Sequence, residues 1–218
     1  MVEKLGSKIV VEADVENEQS LQALFGRLQR DWGKLDFVVH AIAFSDKEEL
    51  KGRYVDTTKA NFQRSLTISC YSFTEIARLA LPLMSDGGSL ITLTYEGATR
   101  VMPSYNVMGV AKAALEASVR YLAADLGPQG VRVNALSAGP MRTLAGAVIG
   151  GARYVYRVSR EASPLRRNVE LTDVGGAALY LLSDLSAGVT GTVHFVDAGY
   201  HAIGLPHDGS AAPSGSGE

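Results

Sequence analysis

The sequence predicts an α/β protein with a doubly wound parallel sheet, in which helices cover both faces to give three αβα layers. Short runs rich in branched apolar residues recur along the chain, and longer segments with helical periodicity separate them. Strands that alternate with helices pair in parallel, and the connecting helices cover the sheet on both faces. The predicted strands are residues 8–13, 35–40, 89–94, 131–137 and 192–196.

The predicted helices lie between these strands. An apolar stripe at helical spacing predicts the first helix and consists of Leu21, Leu24, Phe25, Leu28 and Trp32. Further helices are predicted over residues 58–83, 104–124 and 171–183. Each follows a strand, as right-handed crossover connections require. Thr172 is the expected N-cap of the last of them.

Two segments carry no clear periodicity. Between residues 140 and 164 glycine accumulates, at Gly146, Gly150 and Gly151, so we expect a mobile flap with short helical pieces. Residues 206–218 are rich in Gly, Ser, Ala and Pro and are predicted to be disordered. The prediction is therefore one domain over residues 1–204, followed by a disordered tail over residues 205–218.

Composition excludes several classes of protein. The chain has 218 residues and a net charge of −2. Its length and its hydrophobic content of 46% are enough for one large domain with a core. The near-neutral charge gives no basic footprint for nucleic acid, and no apolar run reaches the ~18 residues that span a membrane. Cys70 is the only cysteine, so neither an internal disulfide nor a thiol metal cluster is expected. The charged start of the sequence lacks a signal-peptide core and favours a cytoplasmic location.

A tyrosine and a lysine seven residues apart are the candidate catalytic pair. On a helix, Tyr105 and Lys112 would lie two turns apart on nearly the same face, about 10 Å along the axis. A phenol near an ammonium can donate a hydrogen bond to an oxygen that gains negative charge, which suits the reduction of a conjugated carbonyl. Tyr95 lies just past the end of a predicted strand, where open parallel sheets place their ligands.

The segments around these residues resemble a known family. Residues 93–98 (LTYEGA), 103–112 (PSYNVMGVAK), 130–140 (GVRVNALSAGP) and 183–191 (SDLSAGVTG) occur in the order and spacing of the bacterial-type enoyl-acyl carrier protein reductases. These enzymes are divergent members of the short-chain dehydrogenase/reductase superfamily. Standard members of the superfamily have the lysine four residues after the tyrosine, where this chain has Gly109.

The resemblance implies a Rossmann-like fold and a reaction. Its members reduce trans-2-enoyl-acyl carrier protein by hydride transfer from NADH, or less commonly NADPH, in fatty-acid elongation, and form homotetramers. In the family, the region that matches residues 8–13 is the third strand. We therefore expect a chain that lacks the first two strand-helix units and the glycine-rich pyrophosphate turn, with impaired cofactor binding and turnover.

The resemblance also assigns residues to roles. Tyr105 would bond the substrate carbonyl oxygen, Lys112 the ribose hydroxyls of the cofactor, and Tyr95 would be a proton donor or a wall of the substrate cleft. The expected cofactor contacts are Asp14 and Val15 at the adenine, Ile42 after the next strand, and Met141, Arg142, Thr143, Leu144 and Ala145 at the nicotinamide. The expected substrate contacts are Ser45, Tyr95, Tyr105 and the apolar flap residues Ala147, Val148 and Ile149. Asp14 is also a candidate helix cap, and His40 is expected to have no catalytic role.

Two other functions stay open at this point. A short-chain reductase acting on a ketone or an alcohol would use the same pair, although the seven-residue spacing and Tyr95 argue against it. A catalytically inactive remnant that acts as an interaction module is favoured by the expected absence of the first two units.

Overall fold

The structure, a computed structural model, describes Gly6, residues 9–141 and residues 151–205. Its sheet has four strands, β1 (Phe37–His40), β2 (Gly88–Thr94), β3 (Val131–Ala138) and β4 (Val193–Val196). All neighbouring strands are parallel and lie in the order β1-β2-β3-β4. These strands match the second to fifth strands that the sequence predicts.

Six helices connect and cover these strands within the described residues. They are α1 (Glu18–Asp31), α2 (Lys59–Leu66), α3 (Ser72–Ala80), α4 (Val107–Leu126), α5 (Ala152–Ala162) and α6 (Leu171–Leu182). A π-helical turn, Thr67–Tyr71, joins α2 to α3, and a 3-10 turn, Leu81–Leu83, follows α3. The predicted helix over residues 58–83 is therefore one continuous helical segment, which Thr58 caps through a hydrogen bond from the Asn61 amide.

Apolar clusters lie on both faces of the sheet. Along β2, Leu90 belongs to the cluster on one face and Ile91 to the cluster on the other, because successive side chains of a strand alternate in direction. The first cluster includes Leu21 of α1, Phe73 of α3 and Leu115 of α4. The second includes Val174 and Leu181 of α6. The predicted fold class, a parallel sheet between two helical layers, is confirmed.

Helix α1 begins where its sequence satisfies the free amides of the first turn. The Asn17 side chain accepts hydrogen bonds from the amides of Gln19 and Ser20. Leu21 and Phe25 are buried as predicted. Trp32 lies beyond the last helical residue with 58% of its surface exposed, so its assignment to the buried stripe is wrong.

The first predicted strand is also wrong. Residues 9–13 form no strand, and Val10 is 68% exposed. A segment becomes a strand only when its backbone forms hydrogen bonds with a neighbouring strand. Within the described residues β1 pairs with β2 only, so no backbone ladder joins β1 to residues 9–13. Phe37 and Val39 of β1 are exposed.

Of two local predictions near the end of the chain, one agrees with the structure in part and one needs correction. The helical pieces predicted within residues 140–164 include a regular helix, α5, whose buried side carries the small residues Ser159 and Ala162. The N-cap of α6 is Glu170 rather than Thr172, because the Asp173 side chain accepts from the Glu170 amide in a capping box. The rest of the predicted flap, residues 142–150, and the predicted tail from residue 206 lie outside the described residues. The domain boundary after residue 204 stays a prediction.

Candidate active site

The candidate site lies at the carboxyl ends of the two central strands. β2 ends at Thr94, which pairs with Ser137 near the end of β3. Tyr95 follows β2 at once in extended conformation and leads into a 3-10 turn, Glu96–Ala98. This edge is where parallel α/β sheets hold their ligands, and the prediction placed Tyr95 there.

Tyr105 lies in a tight turn before α4, and not on the helix itself. The helix begins at Val107, so the expectation that Tyr105 and Lys112 share one helix face is corrected. Residues on both sides of Tyr105 have positive φ angles, 55° at Ser104 and 39° at Asn106, which stops the helix from extending further back. The Asn106 side-chain amide donates to the carbonyl of Leu50 at 3.3 Å, one of its contacts with the loop before α2.

The two tyrosines contact each other. Their ring centroids are 5.1 Å apart with the ring planes at 72°, an edge-to-face contact. Tyr105 is buried in an apolar cluster with Leu50, Val107 and Met108, against which Phe62, Leu66, Tyr95 and Met102 pack. Burial raises the pKa of both phenols above the ordinary value. Both hydroxyls therefore stay protonated at neutral pH and can act as hydrogen-bond donors.

Two glycines make room for the Tyr105 ring. A Cβ on Gly97 would lie 2.3 Å from Tyr105 Cδ1, and a Cβ on Gly109 would lie 2.7 Å from the Gly97 carbonyl oxygen. The 3-10 turn after Tyr95 thus rests directly on the start of α4. No local sequence pattern indicates a role for either glycine in the site, although Gly109 stands where standard superfamily members carry lysine.

Lys112 lies on α4 and is buried, with 5% of its surface exposed. Its Nζ donates to the backbone carbonyl of Leu93 at 2.7 Å, two residues before Tyr95. Burial lowers the pKa of Lys112 to about 8, so at neutral pH most of the molecules carry the ammonium. The structure therefore gathers Tyr95, Tyr105 and Lys112 around the end of β2.

Two buried carboxyl groups accompany this group, and sequence reasoning missed both. Glu116 follows Lys112 by one helical turn and accepts a hydrogen bond from the Thr94 hydroxyl at 2.7 Å. Glu96 follows Tyr95, and one of its oxygens lies 3.0 Å from Arg100. Burial raises the pKa of both carboxyl groups. The available signal for Glu116 was its position four residues after the candidate lysine.

His40 is held inside the protein at the end of β1. Its two ring nitrogens each lie 2.8 Å from a hydroxyl oxygen, of Thr92 and of Ser72. Burial, with a smaller effect of Lys112, lowers the pKa of His40 to about 4, so the ring is neutral at neutral pH. The structure gives His40 two hydroxyl partners, and its lack of a catalytic role stays a prediction.

The two residues expected at the adenine, Asp14 and Val15, make contacts within this chain. Asp14 is exposed, and its carboxylate accepts from the Glu16 amide at 2.9 Å. Val15 packs against the first apolar cluster, the one that contains Leu21 and Phe73. The alternative role of Asp14 as the α1 cap is wrong, because Asn17 fills that position.

Three other predicted residues lie after strand ends. Ile42 is half-buried and packs against the first apolar cluster. Ser45 accepts a hydrogen bond from the Ser65 hydroxyl at 3.0 Å. Met141 follows β3 and packs against the cluster on the other face. The remaining predicted contacts lie outside the described residues, namely Arg142, Thr143, Leu144, Ala145, Ala147, Val148 and Ile149.

The described residues hold no metal cluster and no membrane-spanning helix. Over residues 9–141 and 151–205, no group of three or more His, Cys, Asp or Glu side chains could hold a metal ion. None of the helices described there is long and apolar enough to cross a bilayer. A groove of about 410 Å³ lies between α6 and β4, and its lining includes Leu165, His194 and Phe195.

A parallel αβα sheet with two protonated phenols and a buried ammonium at its carboxyl edge is the arrangement of a reductase of the short-chain dehydrogenase/reductase class. The family described as Enoyl-(Acyl carrier protein) reductase matches residues 1–201. The chain belongs to this family.

Individual relatives are similar over most of the chain. The enoyl-[acyl-carrier-protein] reductase [NADH] 2 of Rhizobium meliloti is 61% identical over 203 residues, which are 93% of this chain and 76% of that protein. A Rickettsia bellii enoyl-[acyl-carrier-protein] reductase [NADH] is 55% identical, over 94% of this chain and 78% of its own length. The crystal structure of the Anaplasma phagocytophilum reductase in complex with NAD superposes with a TM-score of 0.92 at 60% identity, covering 94% of this chain and 79% of that one. The predicted family and class of enzyme are confirmed.

Proposed function

We propose that this chain reduces the carbon–carbon double bond of a trans-2-enoyl thioester on acyl carrier protein, with NADH as the reductant. The names of the relatives agree with this reaction and with NADH. The observation that carries the proposal is the cluster at the end of β2, where Tyr105 meets Tyr95 and Lys112 is anchored to Leu93.

The described residues fit the nicotinamide half of the cofactor. Lys112 supplies an ammonium suited to ribose hydroxyls, and Gly139 and Met141 follow the end of the adjacent strand β3. A Cβ on Gly139 would lie 2.9 Å from the Cα of Asp197, so this turn keeps its place only with glycine. When bound, NADH supplies a hydride to the β-carbon of the substrate.

The protein residues supply binding and charge stabilisation. Tyr105 donates a hydrogen bond to the thioester carbonyl oxygen, which gains negative charge as the β-carbon accepts the hydride. The resulting enolate then takes a proton from water at its α-carbon, which completes the saturated acyl thioester. The Tyr105 phenol is protonated at neutral pH, as an ordinary tyrosine is, and burial raises its pKa further, so it can donate. Lys112 holds the cofactor ribose and adds positive charge on the same side. Tyr95 forms the wall of the cleft against the Tyr105 ring.

We also propose the substrate carrier, the assembly and the location that the relatives' names and the family imply. Acyl carrier protein is the substrate carrier, the chain assembles as a homotetramer, and it works in the cytoplasm. Arg142, Thr143, Leu144 and Ala145 complete the nicotinamide site, and the residues of the apolar flap cover the acyl chain. Ser45 and Ile42 border the cleft from the end of β1.

The structure favours the enoyl reaction over that of a standard short-chain ketone reductase. In the standard spacing the lysine would occupy position 109. A Cβ there would lie 2.7 Å from the Gly97 carbonyl oxygen, so no lysine fits without moving the turn that supports Tyr105.

The test follows NADH absorbance while the 218-residue chain turns over crotonyl thioester at saturating NADH. Tyr105→Phe and Lys112→Met each lower the rate at least about a hundredfold, because each removes a group that stabilises the charged oxygen. Tyr121→Phe is the matched control, since Tyr121 lies on α4 with 76% of its surface exposed. Turnover at the unchanged rate in both site variants, or faster reduction of acetoacetyl thioester than of crotonyl thioester, would contradict the proposal. No turnover at any NADH concentration would favour the inactive remnant.

A further inference from the structure

The side chain of Arg100 joins two segments that lie far apart in the sequence. Its Nε lies 3.0 Å from a carboxylate oxygen of Glu96. Nη1 donates to the carbonyl of Ile203 at 3.1 Å, and Nη2 donates to the carbonyl of His201. All three nitrogens of the guanidinium therefore have oxygen partners, and two of these partners lie 101 and 103 positions further along the chain.

The segment that supplies the two carbonyls is itself held in place. It contains a 3-10 turn, Tyr200–Ala202, here the anchor turn, which follows the last strand. The buried Asp197 carboxylate accepts from the amides of Gly199 at 2.9 Å and of His201 at 2.8 Å. The His201 ring stacks on Phe195 of β4, with the ring centroids 4.1 Å apart. The anchor turn is thus fixed to the end of β4.

At its other end the guanidinium holds the turn that supports the two tyrosines. This 3-10 turn, Glu96–Ala98, here the site turn, begins directly after Tyr95, and its last amide donates to the Tyr95 carbonyl at 2.9 Å. The ring of Tyr105 rests on it, because a Cβ on Gly97 would lie 2.3 Å from that ring. A movement of the site turn would therefore move both tyrosines.

We propose that Arg100 is a positioning residue that keeps Tyr95 and Tyr105 in place by fastening the site turn to the anchor turn. Its effect on turnover rests on the proposed function, whereas its effect on the two rings does not. Arg100 acts through the site turn and not on the substrate. The planar guanidinium suits this role, because its rigid fork holds one carboxylate and two carbonyls at once.

The Glu96 carboxylate directs the guanidinium and needs its charge. Glu96 is 6% exposed, and among the described residues its Oε2 has no hydrogen-bond partner. A buried charge is costly unless it is paired, so the loss of Arg100 alone would orphan an acid as well as free the site turn. Tests in a Glu96→Gln background separate the two effects, because the amide needs no opposite charge.

The direct experiment observes the two rings without any reaction. The protein is labelled with 3-fluorotyrosine, and the ¹⁹F NMR signals are assigned with Tyr95→Phe and Tyr105→Phe. In Glu96→Gln/Arg100→Ala both signals shift and broaden relative to Glu96→Gln, because the site turn is no longer fastened. The signal of Tyr121, which is exposed on α4, stays where it is.

Turnover of crotonyl thioester gives the second readout. From Glu96→Gln to Glu96→Gln/Arg100→Ala, kcat falls about tenfold, because the donor Tyr105 is misplaced. KM for NADH stays within about twofold, since Lys112 is bonded to Leu93, outside the site turn. The Arg100 side chain is 45% exposed, so a guanidinium ion can reach its place from solvent. Guanidinium chloride at about 50 mM, far below denaturing concentrations, restores part of the lost rate.

Glu75→Gln/Arg78→Ala is the matched control. Arg78 is also exposed and pairs with a buried glutamate, Glu75, but both lie on α3. This pair of substitutions leaves the tyrosine signals and kcat unchanged, and guanidinium does not raise its rate.

Three results overturn the inference. They are unchanged signals of Tyr95 and Tyr105 after the loss of Arg100, an unchanged kcat in a chain that turns over, and an equal effect of guanidinium on the control. Displaced rings in a protein without enoyl turnover support the role of Arg100 and overturn only the proposed reaction.

Discussion

The ring of Tyr105 occupies space that is open only because residue 97 has no side chain. We expect Gly97→Ala to displace the ring, since the new Cβ would lie 2.3 Å from Cδ1 and 2.6 Å from Cε1. Overpacking of this kind costs about 1–3 kcal/mol of stability, and a misplaced donor lowers turnover by about a hundredfold. Thermal unfolding and the crotonyl assay measure the two effects.

Gly175→Ala is the control for this substitution. Gly175 is an exposed residue inside α6, and a Cβ there meets no atom within 4 Å. Alanine is a better helix former than glycine, so this variant gains about 0.5–1 kcal/mol and keeps full turnover. A Gly97→Ala protein with the stability and rate of the unchanged chain would contradict the packing argument.

The stability of the protein also depends on pH through His40. The pKa of His40 is about 4 in the folded protein, against 6.5 for an ordinary histidine, because burial disfavours the charged ring. Between these values the unfolded chain binds the proton and the folded chain does not. The free energy of unfolding therefore falls as pH drops from 6.5 to 4, by up to about 3 kcal/mol for this group.

Urea titrations at pH 7, 5.5 and 4 measure this effect in the unchanged protein and in His40→Gln. The buried carboxyl groups of Glu96 and Glu116 have raised pKa values and work in the opposite direction, but they are present in both proteins and cancel in the difference. His40→Gln is less stable at pH 7 and loses less on acidification. Parallel pH dependence in the two proteins would show that His40 is not buried in its neutral form.

Individual residues differ in how far the sequence reveals them. Tyr95, Tyr105 and Lys112 are recognisable because their residue types and spacing carry chemistry. Gly97 and Gly109 act through a contact between a turn and a helix, which no local pattern encodes. Glu116 reads as an ordinary helix acid until its burial and its bond from Thr94 are known.

At the scale of elements, the sequence predicts all four strands of the sheet. β2 and β3 are apolar runs bounded by turns, because both lie between helical layers. Residues 9–13 have the same branched composition without a neighbouring strand among the described residues, and they form no strand. Local composition indicates which segments can be strands, whereas pairing decides which of them are.

Helix ends follow from backbone conformation and capping side chains more than from apolar periodicity. The periodicity of α4 extends back to residue 104, but the φ angle of 39° at Asn106 starts the helix at Val107. For α5 the buried face consists of small residues, and the search for large apolar residues at helical spacing therefore misses it.

At the scale of the whole molecule, the two halves of the expected dinucleotide site differ. The residues proposed for the nicotinamide half, Lys112 and the turn after β3, lie at the ends of adjacent strands. For the adenine half the sequence offers Asp14 and Val15, and the structure places them outside the sheet, with the Asp14 carboxylate bonded to the Glu16 amide. The sequence contains no glycine-rich turn leading into a helix that would hold a pyrophosphate.

This difference predicts how the 218-residue chain discriminates between cofactors. If only the nicotinamide half is bound, the adenosine part of NADH contributes little, so NADH and reduced nicotinamide mononucleotide bind within about threefold of each other, both weakly. Isothermal titration calorimetry at millimolar ligand measures both, and Lys112→Met, which removes the proposed ribose contact, weakens the two equally. A preference for NADH greater than about tenfold would show that residues of this chain hold the adenine half, with Asp14→Ala then the variant that locates it.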